Sequence, residues 1–413
     1  MTLLDKQTIL PYLREHLPSF DQSGTVRVHA IGGPGEQPTC DDGSDKREEG
    51  GLINHIFRVS NASQSVIVKQ AQTRSRSNAG IVLPVERNRR EYESMLLRSA
   101  IVPQYVPTPY LEDPESAVLV MEDVSYLEQV HGLLVDGKAL PRLAEQVGEY
   151  VAKNSFYYSE FYMDTDEFRR LACHFRNSDM RSVMESWVFL RSAPYLEHHG
   201  DLRLKALIDA DPAITTRCYE MRFKFMTRAE ALIHGDLHVS NMFADADRLK
   251  VIDMEYTFAG PMCYDIGYFS ASLLTQYFTA CFRPFPSEAD RRAFMEYILG
   301  TVEGTYESFV SHFVSYWKRD AKPVYRDADG LLRRLAEGFL ADVLAFMAIP
   351  CFSKVTTNPS EEFVLLDETD RERAMELALV VARQLLLHGN QFATMGDAMD
   401  GIREMTSIYL QNL

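Results

Sequence analysis

The chain has 413 residues, 46% of them apolar and 25% charged, enough to bury a large core and to build more than one lobe. Its 43 basic and 59 acidic residues leave a net charge of −16, which argues against a general binder of nucleic acid or anionic membranes, since those need a basic face, and leaves only a local basic pocket for an anionic ligand. The six cysteines are scattered without a CxxC pair, so a reducing, cytoplasmic setting is expected, with neither a zinc site nor a disulfide framework.

From the start, MTLLDKQTILPYLREHL is charged throughout and lacks the apolar core of a signal peptide. VRVHAI (26–31), NHIFRVS (54–60) and SVIVK (65–69) are short and rich in β-branched residues, and predict strands. The polar, Gly- and Pro-containing stretch between the first two predicts a loop. ERNRREYESMLLRSA (86–100) is dense in helix formers, and AVLVMED (117–123) predicts a buried strand ending in acids. Beyond Asp123, apolar residues recur at three- and four-residue spacing, as in LPRLAEQVGEYVAKNSFYYSEFY, DIGYFSASLLTQYF and RERAMELALVVARQLLL. The most apolar helical stretch, GFLADVLAFMAIPCF, is short and holds Asp342, so no membrane span is expected. The fold class is therefore α+β, with a small β-rich N-terminal lobe over 1–122 and a large helical lobe over 123–413.

The chemistry concentrates in HGDLHVSN and VIDMEY. Asp236 stands five residues before Asn241, the spacing of a kinase catalytic loop, HRDLxxxN, whose Asp accepts a hydroxyl proton and whose Asn binds magnesium. Asp253 follows an apolar strand, where kinases hold the metal-binding Asp of DFG. Glu255 shares its face if the strand continues. Two carboxylates and an amide oxygen suit Mg²⁺ on a triphosphate, so Asn241, Asp253 and Glu255 are the expected metal ligands. As bare residues, Asp236, Asp253 and Asn241 could equally be turn and cap residues; their joint spacing favours the site. Lys69 ends its strand like the phosphate-contacting lysine of VAIK, with Glu91 the best partner and Glu93 the second. EGGLIN (49–54), with Gly50, Gly51 and Asn54, is a candidate phosphate-covering loop. The backbone of Met121, Glu122 and Asp123, at the junction of the lobes, is the expected adenine contact. Asp265 reads as the N-cap of the helix it opens and, compatibly, as a brace for the catalytic-loop backbone.

With these motifs in place, the sequence resembles the aminoglycoside phosphotransferase and choline kinase group. Within it, SVIVKQA, RNRREYE, VPQYVPTPY, VMEDVSYLE and FAGPMCYDIGYFSASLL resemble the 5-methylthioribose kinase family. The resemblance implies a protein-kinase-like two-lobe fold and an ATP- and Mg²⁺-dependent small-molecule kinase. The implied acceptor is the anomeric hydroxyl of 5-methylthioribose in methionine salvage, and the implied assembly is a homodimer. It also implies that an adjacent arginine pair, here Arg333 and Arg334, holds the sugar and the phosphate being transferred, with Asp236 on the same substrate; by themselves the two arginines read as a solvated helix face. The family usually has HGDLHTGS and DPEF where this chain has HGDLHVSN and DMEY, and a loop tryptophan where it has AGIVLPVER. Other acceptors (another sugar, a choline-like molecule, an aminoglycoside) and a non-catalytic nucleotide-binding scaffold are the alternatives.

Overall fold

The computed structural model describes residues 3–31, 53–74, 82–191, 202–328, 330–356 and 360–413. The polar insert and the glycines Gly50 and Gly51 lie outside them. Packing divides the chain into two units. One is Met1–Gly132 with Ser240–Thr257, the other Leu133–Val239 with Phe258–Leu413.

The first unit is built on a five-stranded antiparallel sheet of β1 (Arg27–Ile31), β2 (His55–Ser60), β3 (Ser65–Gln70), β4 (Pro109–Asp113) and β5 (Val118–Glu122), in the order β1-β2-β3-β5-β4. Alternation along the strands puts Phe57, Val59, Val66, Val68, Val118 and Val120 on one face, which is closed by Ile9 and Leu13 of the helix Ile9–His16. Lys69 therefore points to the opposite face, in register with Ile56 on one side and Leu119 on the other. The helix Arg87–Ile101 packs against β4, β5 and the short turn Met254–Tyr256. That turn follows a hairpin of Met242–Ala244 and Leu249–Val251.

The second unit is helical apart from a pairing of Ala231–Ile233 with Phe258–Gly260 and an isolated bridge between Ser159 and Ala231. Its centre is the helix Tyr264–Ala280, buried along almost its whole length between Leu331–Thr356 and Glu368–His388. Gly267 makes that packing possible, because a Cβ there would lie 2.5 Å from the Cβ of Phe346. By length and composition Leu331–Thr356 could cross a membrane, yet most of its apolar stretch is buried in the protein, as in a core helix.

Candidate active site

In the first unit, β3 and the Arg87–Ile101 helix bring Lys69 and Glu91 together, with the ammonium 2.6 Å from Glu91 Oε2. The same Nζ lies 2.5 Å from Asp253 Oδ1 and 3.5 Å from Glu255 Oε2. Ligand oxygens of the three acids fall within 4.8 Å of one another. Burial alone would lower the Lys69 pKa, but the three carboxylates outweigh it and raise it. Glu91 is pushed up to about 7, first by burial and then by Asp253 and Glu255, against the pull of Lys69.

The hairpin sets the spacing of Asn241 and Asp253. Its register pairs Met242 with Val251, and the Ile252 amide donates to the Asn241 carbonyl at 2.9 Å, so Asn241 is one residue from lying opposite Asp253. The strand expected to run on to Glu255 ends at Val251. Asp253 takes the left-handed conformation (φ 63°, ψ 56°), which costs a non-glycine residue about 1–2 kcal/mol. A single helical turn then returns Glu255 to the cluster. Strand alternation is thus replaced by a strained turn, with the same two acids delivered to one place.

Sequence reasoning missed Arg87. It is 1% exposed, and its guanidinium donates to Asn54 Oδ1 (2.6 Å), Pro84 O (2.8 Å) and Gln72 O (3.0 Å). Its Nε stands 3.4 Å from Glu255 Oε2, the oxygen that also accepts from Asn54 Nδ2 at 3.0 Å. Asn54 is thus a bridge between Arg87 and Glu255. The one available signal was an arginine in the first turn of a helix, where the dipole disfavours a cation.

The residues suit a divalent cation. Asp253, Glu255 and Asn241 are hard oxygen donors, and the Asp253 side chain is the most exposed of the three acids. Glu91 Oε1 is buried without a hydrogen-bond partner, as expected beside a site that takes further positive charge. The backbone expected to meet adenine is partly committed: the Glu122 amide donates to Thr108 O at 2.8 Å. The Asp123 carboxylate accepts from Arg58, Ser65 and Ser125.

In the second unit, the segment HGDLHVSN leaves the strand Ala231–Ile233. The His234 and Gly235 amides donate to the Asp265 carboxylate at 2.7 and 3.0 Å. Asp265 is therefore the brace of this loop, and the helix is capped instead at Cys263, without a side-chain bond. Gly235, at φ +85°, permits the turn that projects Asp236. Burial would raise the Asp236 pKa, but His238, His234 and a hydrogen bond from Tyr268 hold it below the usual carboxylate range. These contacts favour the ionised form of Asp236.

Arg333 and Arg334 are the third and fourth residues of the Leu331–Thr356 helix, both exposed. Among the described residues neither guanidinium has a hydrogen-bond or ion-pair partner. Adjacent helix positions face about 100° apart, so their surroundings are those of a solvated helix face.

The chain matches the phosphotransferase enzyme family over residues 46–297. It is 34% identical over 307 residues to the methylthioribose kinase of Geobacillus thermodenitrificans (strain NG80-2), an alignment covering 72% of this chain and 74% of that one. The methylthioribose kinase of Geobacillus sp. (strain WCH70) is 31% identical over 376 residues, covering 88% and 89%. Among solved structures, choline kinase from Cryptosporidium parvum Iowa II aligns with a TM-score of 0.44 at 14% identity, covering 94% of this chain and 99% of that one.

Proposed function

We propose that this chain, which belongs to the phosphotransferase enzyme family, is an ATP-dependent kinase that phosphorylates the anomeric hydroxyl of 5-methylthioribose. The observation that carries the kinase reading is the buried Lys69–Glu91 pair, closed by Asp253 at 2.5 Å. A lysine held by two acids at the end of a strand is the phosphate anchor of a phosphoryl-transfer enzyme. The relatives named above support the acceptor; a place for Arg333 and Arg334 beside it is part of the proposal, and there they would repel a cationic acceptor such as choline or an aminoglycoside.

In the reaction, the sugar hydroxyl oxygen bonds to the γ-phosphorus of ATP while the bond from that phosphorus to the ADP oxygen breaks. The hydroxyl proton goes to Asp236. Asp253, Glu255 and Asn241 would hold Mg²⁺, whose charge offsets that of the phosphates. Lys69 anchors the phosphates, and Arg333 and Arg334 attract the phosphoryl group and the sugar oxygens. Catalysis of this kind is mostly positioning and electrostatics.

The test is a panel of acceptors scored by ADP release, with Asp236→Asn as the control. Turnover of 5-methylthioribose that Asp236→Asn abolishes, with ATP-analogue binding retained, is the expected result. Activity on choline or an aminoglycoside but on no 5-substituted ribose refutes the acceptor. ATP binding without turnover of any acceptor refutes the kinase reading itself.

A further inference from the structure

Asp236 must aim one carboxylate oxygen at the acceptor hydroxyl. The terminal torsion of an aspartate is broad and roughly two-fold, so nothing intrinsic to the residue fixes that aim. Two side chains of the same unit meet this carboxylate. His238, on the same loop, brings Nε2 to 3.5 Å from Asp236 Oδ2. Tyr268, on the helix Tyr264–Ala280, hydrogen-bonds to Asp236 as well.

These two are themselves anchored. The His238 and Tyr268 rings lie 6.2 Å apart at 63°, and Tyr268 stacks on Tyr264 at 5.6 Å and 22°. Tyr264 is fully buried, with Phe346 edge-on at 5.3 Å and Phe225 tilted at 4.7 Å. A pillar of rings thus runs from the core of the unit to the loop and ends at the carboxylate. His238 keeps 25% of its side chain exposed, so filling the core does not explain it.

We propose that His238 and Tyr268 are positioning residues that hold one edge of the Asp236 carboxylate so that the other edge faces the acceptor hydroxyl. The proposal rests on Asp236 being the proton acceptor. The 3.5 Å separation is at the limit of a hydrogen bond, and such contacts commonly tighten when substrate binds.

The experiment compares His238→Ala, His238→Gln and Tyr268→Phe with Asp236→Asn. It reads kcat and KM on 5-methylthioribose, binding of a non-hydrolysable ATP analogue by calorimetry, and thermal melting. Loss of one charge-assisted contact should lower kcat about tenfold to a hundredfold in His238→Ala. KM for ATP and analogue affinity should stay within about twofold, because these residues act on the acceptor side. His238→Gln, which keeps an N–H donor near the position of Nε2, should recover most of the loss, and Tyr268→Phe should show a smaller loss of the same kind.

Unchanged kcat in His238→Ala, or no recovery in His238→Gln, overturns the proposal, as does a kcat loss that tracks the melting temperature. Should His238→Ala not fold, Tyr268→Phe decides, and normal kcat there overturns it. Near-normal turnover in Asp236→Asn removes the assignment of Asp236 itself. An inactive Asp236→Asn beside an unimpaired His238→Ala removes only the positioning role.

Discussion

Arg87→Met tests the charge balance of the first unit most directly. Lys69 and Arg87 supply two positive charges to a cluster in which Glu91, Asp253 and Glu255 supply three negative ones. Methionine keeps much of the buried volume but removes the guanidinium, so Asn54 Oδ1 loses a donor and Glu255 loses one countercharge while keeping Lys69. At 3.4 Å and an effective dielectric of 20, the Arg87–Glu255 attraction is about 5 kcal/mol. Desolvation of the arginine offsets part of this, and removal of one partner of a buried pair typically costs about 3–5 kcal/mol. For a unit of this size, a melting temperature lower by on the order of 10 °C follows. Urea and thermal unfolding of Arg87→Met, Glu255→Gln and the double variant would measure it. Glu255→Gln should restore part of what Arg87→Met loses, because it lowers the excess of negative charge that the variant leaves in the cluster. A loss below about 1 kcal/mol in Arg87→Met, or strictly additive effects, would refute the reasoning. Arg87→Lys should fall between the two, since one ammonium cannot replace a planar fork that reaches Asn54, Pro84 and Gln72 together.

Asp253→Ala should weaken binding of the Mg²⁺ complex of an ATP analogue, and Glu255→Gln should raise the magnesium concentration needed for half-maximal activity; unchanged calorimetric affinity and unchanged metal requirement would make both acids structural. Arg333→Ala or Arg334→Ala should lower kcat/KM for the sugar about tenfold to a hundredfold while KM for ATP holds, and equal losses toward both substrates would contradict a place on the acceptor side. Glu91 titrates at about 7 in the folded chain against an ordinary 4.5, so the folded state binds its proton more tightly. Its contribution to stability is full below pH 4.5 and is lost as pH rises through 7; Glu91→Gln should flatten the change in urea midpoint between pH 5 and 8, and an identical pH profile in the two proteins would contradict this.

Much of the first unit was legible because its signals are local. VRVHAI, NHIFRVS, SVIVK and AVLVMED carry the β-branched content of β1, β2, β3 and β5, and each strand begins or ends within a residue or so of those stretches. β4 was not legible. It begins with Pro109, and proline argues against a strand unless the strand lies at an edge, where β4 in fact sits. The pairing of Lys69 with Glu91 could be read from the strand and the glutamate-bearing helix, whereas no linear pattern could say that Ser240–Thr257 packs with the N-terminal unit. Periodicity records which face of an element is buried, and it is silent on what covers that face.

Arg87, His238 and Tyr268 mark where residue-level reading stops. An arginine in RNRREYE has the composition of a solvated helix face, a histidine after HGDL that of a loop, and a tyrosine in YDIGYF that of a helix core. Each acquires its meaning from a carboxylate elsewhere: Glu255 is 168 positions from Arg87, and Asp236 is 32 positions from Tyr268. Burial makes those distant pairings obligatory. A fully buried arginine must find an anion, and a carboxylate held below its usual pKa in a buried loop must find donors. The motif residues Lys69, Asp236, Asn241 and Asp253 could be singled out as candidates because phosphoryl transfer asks for those groups at those spacings. The residues that aim and neutralise them answer to a weaker demand, a donor or a countercharge at the right place, which several residue types could meet from several points in the chain. The fold alone selects among those possibilities, so such residues become visible only when the partner carboxylates are seen in three dimensions.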